Sequence, residues 1–422
     1  MKISIVGGGY VGLITGACLA EKGHNVTIIE IDREKADAIN SARPPIYEKG
    51  LGELLVRHSG KNIAASTGYE SVRDSEVSII CVGTPMREDG SADLKYIISA
   101  AESIGRELKD SGIYHVVAVK STVPPGTTSG VVIPAVRNAS GDNPDIGFTM
   151  NPEFLREGIA VDDFMNPDRI VIGSDDERSG DLVESLYSGF NTKVLRTGLV
   201  SAEMIKYASN SFLATKISFS NEIGNICKAL GIDVYEVMEG VGLDHRISPY
   251  FLNAGCGFGG SCFPKDVSAL VHLAKSKSID PVLLRSVLKV NETQPLAIID
   301  ILKKHLGNLN GKRIAVLGLA FKGDTDDIRD SRAVPAIEKL IAEKADVHAY
   351  DPMANENMKA VFPKITYHDS AARALENAEG CLVMTEWPEF SRLDKEFDIM
   401  KNRVIIEGRR ILSVPDAEGI CW

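Results

Sequence analysis

The chain has no uninterrupted apolar stretch of about 18 residues, the length that reads as a membrane-spanning helix, so no membrane span is expected. The apolar run from Met1 to Ala20 superficially resembles a secretory signal, but glycines interrupt it and a charged turn follows, so it reads as strand, loop and helix. A basic block is also missing. Lys and Arg number 47 against 58 Asp and Glu, a net charge of -11, which makes a nucleic-acid partner unexpected. Seven cysteines, at 18, 81, 227, 256, 262, 381 and 421, show neither paired metal spacing nor an even disulfide count and point to a reducing cytoplasm. The eight histidines form no His-x-x-x-His pattern. The acidic run Asp324 to Asp330 has Arg329 where a calcium loop needs glycine and Pro335 where it needs its last acid, so no metal is expected. Polar low-complexity tracts are absent too, and no long disordered segment is expected.

What remains is an ordinary globular composition, 44% hydrophobic and 25% charged, in 422 residues, enough for two or three cores. A short apolar run, residues 2–6, leads into Gly7-Gly8-Gly9-Tyr10-Val11-Gly12. Helical spacing follows over 10–22, then a second strand over 26–31. Glu30 falls about 20 residues beyond the glycines, where an acid can accept hydrogen bonds from a ribose. This unit predicts a dinucleotide site, with Glu30 favouring NAD over NADP, although Arg33 and Lys35 lie nearby. Further strands are predicted over 77–82 and 116–120, so the turns Gly83-Thr84-Pro85 and Ser121 to Gly126 border the cofactor. A strand over 169–173 and a helix near 176–188 complete a first domain, 1–195.

From Leu199 to about Leu230, apolar residues recur at helical spacing, among them Met204, Tyr207, Ala208, Phe212, Phe219, Ile223, Ile226 and Leu230. A helix on the order of 45 Å would offer a surface for self-association, and a homodimer through it is expected. Lys206 and Asn210 lie one turn apart on it, either sharing a groove or lying on a solvated face. Helices near 265–276 and 281–305 complete a central helical segment, 196–306. Strands at 312–317, 346–350, 380–384 and 403–406 then predict a smaller α/β domain, 307–422. It lacks the full glycine fingerprint, so its ligand should not be a dinucleotide.

Three places could carry chemistry. Cys262 sits in Cys256-Gly257-Phe258-Gly259-Gly260-Ser261-Cys262-Phe263-Pro264-Lys265-Asp266, where Pro264 suits a first helical turn whose free N–H groups favour thiolate. The alternative is a buried, inert small residue. Glu153 and Glu157 lie four apart, so a helix starting after Pro152 would put both on one side, as paired carboxylates for a water and a proton or as a charged helix start. Thr122 follows a strand end as an exposed hydroxyl donor or a cap.

These segments occur in an order that resembles the UDP-glucose/GDP-mannose dehydrogenase family along nearly the whole chain. The matching runs are Gly7 to Gly12, Pro45-Ile46-Tyr47-Glu48, Lys120 to Gly126, Asn151 to Gly158, Lys206 with Asn210, Gly257 to Asp266, Lys322 to Arg329, and Thr385-Glu386-Trp387. The resemblance implies an α/β fold of two Rossmann-like doubly wound domains joined by a central helical domain with one long helix. It implies NAD-dependent, four-electron oxidation of a nucleotide sugar's primary alcohol to a carboxylate, with UDP-glucose as the expected UDP-sugar substrate. GDP-mannose or a UDP-N-acetylhexosamine is the alternative. Relatives acting on N-acetyl sugars usually carry Gly-Gly-His-Cys-Ile-Pro, whereas this chain has Ser261 and Phe263.

Carried over by position, Cys262 would be the nucleophile and Lys206 with Asn210 the oxyanion holders. Thr122, Glu153 and Asp266 would hold water and take protons. Gly7, Gly9, Tyr10, Val11, Gly12, Glu30, Lys35, Thr84, Thr122, Glu157, Lys265 and Arg329 would line the NAD site. The sugar nucleotide would meet Glu153, Phe154, Leu155, Arg156, Glu157, Lys206, Asn210, Phe251, Leu252, Asn253, Ala254, Gly255, Gly259, Lys322 and Arg409, with Arg246 reaching across a dimer interface. Three departures stand out: Glu30 where relatives often have Asp, Lys322-Gly323-Asp324, and Arg410 where an Asn is usual after Glu407-Gly408-Arg409. A non-catalytic nucleotide-sugar binder of the same fold is the reading from another class, and the nucleophile argues against it.

Overall fold

Alternate residues of the N-terminal strands enter two different cores. Ile3, Ile5, Val77, Ile79, Val116 and Ala118 pack into one cluster, whereas Val6, Ile80, Val117 and Val119 pack into another. Strand side chains alternate between faces, so both faces of this sheet are apolar, as expected where helices cover both sides. The computed structural model describes residues Met1–Trp422 and divides into two units, Met1–Ser209 and Asn210–Trp422.

In the first unit β1 (Lys2–Val6), β2 (Asn25–Ile29), β3 (Ile63–Ser66), β4 (Val77–Ile80), β5 (His115–Val119), β6 (Ile146–Met150), β7 (Arg169–Ser174) and β8 (Lys193–Thr197) form one sheet. Its order is β3-β2-β1-β4-β5-β6-β7-β8, with β7 antiparallel to β6. The chain works outward from β1 to β3 and then crosses to β4 on the other side of β1. That reversal is the point where such sheets open a crevice at the strands' carboxyl ends.

The predicted long helix is Leu199–Leu230, 32 residues that begin in the first unit and continue into the second. Helices Phe263–Ser276 and Val282–Leu306 follow. The second sheet contains β9 (Arg313–Leu317), β10 (Asp346–Tyr350), β11 (Thr366–Tyr367), β12 (Gly380–Val383), β13 (Ile405–Glu407) and β14 (Ala417–Gly419), all parallel, in the order β11-β10-β9-β12-β13-β14. Its switch point lies between β9 and β12. No helix is long and apolar enough to cross a membrane.

Candidate active site

Two glycines after β1 are demanded by the fold itself. Gly7 has φ +104°, and a Cβ there would lie 2.9 Å from the Cys81 carbonyl oxygen; a Cβ at Gly12 would lie 1.9 Å from that of Gly7. Gly9 is different. A Cβ there would meet nothing within 4 Å, so no contact inside the protein explains its bareness. Gly9 caps the helix Tyr10–Glu21, which has neither a side-chain cap nor an acid in its first turn. Unsatisfied N–H groups behind an open approach fit a dinucleotide's pyrophosphate. Glu30 lies buried just beyond β2. Its Oε2 accepts from Gly8 N at 3.0 Å and its Oε1 from Asp32 N at 2.9 Å, which leaves each oxygen a lone pair for a ribose hydroxyl. Lys35 is exposed in the helix Arg33–Asn40 that follows. Across the switch point, Thr84 Oγ1 donates to the Thr122 carbonyl at 2.8 Å and ties together the turns after β4 and β5. Thr122 is half-buried.

The second sheet handles its equivalent acid differently. Asp351, just after β10, accepts at Oδ2 from Leu319 N, Ala320 N and Trp387 Nε1 and at Oδ1 from Met353 N and Ala354 N. Those donors occupy both oxygens and leave little for a ribose.

The helix expected after Pro152 does not form. Residues 151–156 are irregular and the helix begins at Ala160. Carboxylates take the N–H groups that would have propagated it: Glu153 Oε2 accepts from Leu155 N at 2.5 Å and Asp163 Oδ2 from Arg156 N at 2.8 Å. Glu48 accepts from Gly158 N at 2.8 Å and Ala160 N at 2.9 Å, and is also bonded by the Tyr10 hydroxyl beside half-buried Val11. Glu153 and Glu157 therefore do not share a helix face. Glu153 turns inward instead and meets Lys206 Nζ at 2.9 Å, with the two side chains 6% and 4% exposed. Burial alone would push the Glu153 carboxyl up, but the Lys206 ammonium, the Leu155 N–H and Lys120 together outweigh it and hold the group below the usual carboxylate range. The solvated-face reading of Lys206 is thus excluded. Phe154 lies with its ring 5.4 Å from Lys206 Nζ, Leu155 and Glu157 are half-buried, and exposed Arg156 pairs with Asp163 at 2.6 Å.

In the second unit Cys262 is exposed, whereas the other six cysteines are buried. It is the N-cap of the helix Phe263–Ser276, with Pro264 in the first turn as expected, and its carbonyl accepts from Asp266 N at 2.9 Å. Burial pushes Cys81 up to about 12 and Cys256 up to about 11, as befits inert thiols. The reading of Cys262 as a buried packing residue fails. The preceding glycines let the chain pass close to other backbone: a Cβ at Gly259 would lie 2.4 Å from the Asp330 carbonyl oxygen, and one at Gly255 would lie 2.5 Å from that of Gly408. Asn210 Nδ2 donates to Asp266 Oδ2 at 2.6 Å, both residues being buried, and Lys265 bonds the other oxygen. Asn210, like Lys206, is no solvated residue.

The remaining expected contacts are more scattered. Leu252 and Ala254 are buried, Asn253 is exposed, and half-buried Phe251 adopts φ +65°. Arg409 donates to the Gly257 carbonyl at 3.0 Å and pairs with Glu386, while Lys322 is half-buried. Arg329 and Arg246 are exposed and fork onto Asp327 and Asp244.

The sequence matches the UDP-glucose/GDP-mannose dehydrogenase family in its NAD binding domain over residues 1–191, its central domain over 200–293 and its UDP binding domain over 315–414. A UDP-glucose 6-dehydrogenase, AglM, from Haloferax volcanii is 47% identical over 98% of this chain and 97% of its own length. Among solved structures, a UDP-glucose dehydrogenase from Pyrobaculum islandicum is 41% identical with a TM-score of 0.95, covering 100% of this chain and 98% of that one. A UDP-D-ManNAc dehydrogenase from Pyrococcus horikoshii is 30% identical with a TM-score of 0.89, covering 100% and 99%. A glycine loop open to a dinucleotide, an exposed cysteine on a helix start and three consecutive domain matches lead to one conclusion: the chain belongs to the UDP-glucose/GDP-mannose dehydrogenase family, with an N-terminal NAD binding domain and a C-terminal UDP binding domain.

Proposed function

We propose that this protein oxidises UDP-glucose to UDP-glucuronate. The observation that carries the reading is Cys262, an exposed thiol on a helix N-terminus in a chain that otherwise buries its cysteines. Bound NAD supplies the hydride acceptor. The sugar alcohol loses a proton and a hydride to give the aldehyde, and the Cys262 thiolate adds to its carbon. Lys206, helped by Asn210, stabilises the resulting oxyanion. Loss of a second hydride to a second NAD turns the thiohemiacetal into a thioester, and water cleaves it to the carboxylate and the free thiolate. Glu153, Thr122 and Asp266 hold the water and receive protons. The other residues named above for the cofactor and the sugar nucleotide keep those roles in this reading.

The test is NADH yield per sugar consumed across UDP-glucose, GDP-mannose and UDP-N-acetylmannosamine. UDP-glucose is expected to give two NADH per sugar at the highest kcat/KM. Preference for either other sugar, or an aldehyde released after one hydride, would overturn the assignment.

We further propose a homodimer built on the long helix. Phe212, Phe219, Ile226 and Leu230 are each at least half exposed, and the first three repeat every seven residues, so they form one apolar stripe. Sedimentation should find two chains, and Phe219→Asp should give one; a monomeric wild type would end this proposal.

A further inference from the structure

Lys120 follows β5 and points its ammonium into the first unit. It is 3% exposed. Its Nζ donates to the Asn151 carbonyl at 3.4 Å, to Asn151 Oδ1 at 3.1 Å and to the Tyr187 hydroxyl at 3.3 Å. Tyr187 in turn donates to Asn151 Oδ1 at 2.5 Å, and the rings of Tyr187 and Phe164 each lie 5.9 Å from Nζ. All three ammonium donors are thus spent on neutral partners. A buried cation without a counter-ion costs several kcal/mol of desolvation, and a methionine or leucine would fill the volume at less cost. Packing does not explain a lysine here.

Its surroundings do. Asn151 is the residue that Lys120 grips, and Glu153 is two residues further on. Glu153 is already paired with Lys206. Counting the charges, Lys120 and Lys206 against Glu153, leaves one surplus positive charge in a buried cluster. Besides the Tyr187 hydroxyl, the titratable group facing Lys120 is Cys81 after β4, a buried neutral thiol. We propose that Lys120 is a positioning residue for the reaction: it clamps the Asn151-Pro152-Glu153 segment from behind and supplies the surplus charge that keeps Glu153 a carboxylate.

This inference rests on the role given above to Glu153, and full-length enzyme assayed with UDP-glucose and NAD separates the two. Lys120→Met removes the charge. Asn151→Asp keeps the side-chain shape and gives Lys120 the counter-ion it lacks, at the loss of the bond from Asn151 Nδ2 to the Val171 carbonyl. In both variants the acid limb of kcat/KM should move to higher pH, and at pH values below its midpoint activity should fall about tenfold for each unit of displacement. Tyr187→Phe retains the ammonium and should lower Tm with the limb in place. A wild-type limb in either folded charge variant, or an equal displacement in Tyr187→Phe, overturns the inference. Should Lys120→Met fail to fold, Asn151→Asp alone decides. Glu153→Gln should remove the part of the limb that Lys120→Met displaces, leaving the part that belongs to the Cys262 thiolate; a displacement by Lys120→Met that persists in the Glu153→Gln background overturns the assignment of Glu153 instead.

Discussion

Replacing Cys262 with serine is expected to leave the protein folded and to stop it short of the carboxylate. The side chain is exposed at an N-cap, where serine is among the preferred residues, so stability should change by less than about 1 kcal/mol. The chemistry should change far more. A thiol at a helix start is readily ionised, and thiolate is a strong nucleophile; a serine hydroxyl stays neutral near pH 7 and adds poorly to an aldehyde without an adjacent base. In the proposed mechanism the first hydride transfer makes no use of sulfur, so it should survive. The second would pass through the adduct on sulfur, and carboxylate formation should fall by about 1000-fold or more. The measurement is NADH formed per sugar consumed, expected to drop from two to at most one. A serine variant that still made two NADH per sugar at a rate near wild type would remove the covalent step from the mechanism.

How much of this could be read in advance depended on the range of the interactions involved. The long helix was legible to the residue because its apolar spacing runs from Leu199 to Leu230 without a breaker, a local property. The glycine loop and the helix start at Cys262 were legible for the same reason, since the left-handed turn at Gly7, the approach of Gly12 to Gly7 and the place of Pro264 in a first helical turn are local. The segment after Pro152 was not. Proline, two acids and an apolar pair are a good helix start, and what defeats it comes from outside: Glu48 and Asp163 capture N–H groups that a helix would have used. Several strands were also missed. β8 is a polar-looking edge strand, and β11 is two residues long. β6 contains Gly147, which usually weakens a strand, but a Cβ there would lie 2.1 Å from Ser179 Oγ, so glycine is required by close packing. Lys120 closes a predicted strand, yet nothing near it in the sequence says that its ammonium turns inward.

Lys206→Met should lower stability strongly, and the loss should depend on pH in a direction that identifies its cause. Removing Lys206 takes from buried Glu153 its contacting counter-ion, a change that costs about 3–5 kcal/mol and that the weaker influence of Lys120 offsets only in part. In the wild type the Glu153 carboxyl is depressed in the folded state, so the pair's contribution is fully present above the unfolded carboxyl value and is lost only as pH falls through the lower folded one. In the variant the burial penalty remains and the main opposing cation is gone, which raises the Glu153 carboxyl. Acid then protonates it and relieves the buried charge. Urea unfolding should therefore show a deficit that is full near pH 8 and shrinks as pH approaches about 5. Glu153→Gln added to Lys206→Met should recover much of the lost stability without any of the activity, because the neutral pair satisfies the interior but offers no cation to an oxyanion. A deficit of the same size at every pH would mean that Lys206 acts by packing its methylene chain, and the electrostatic account of this pair would have to be given up.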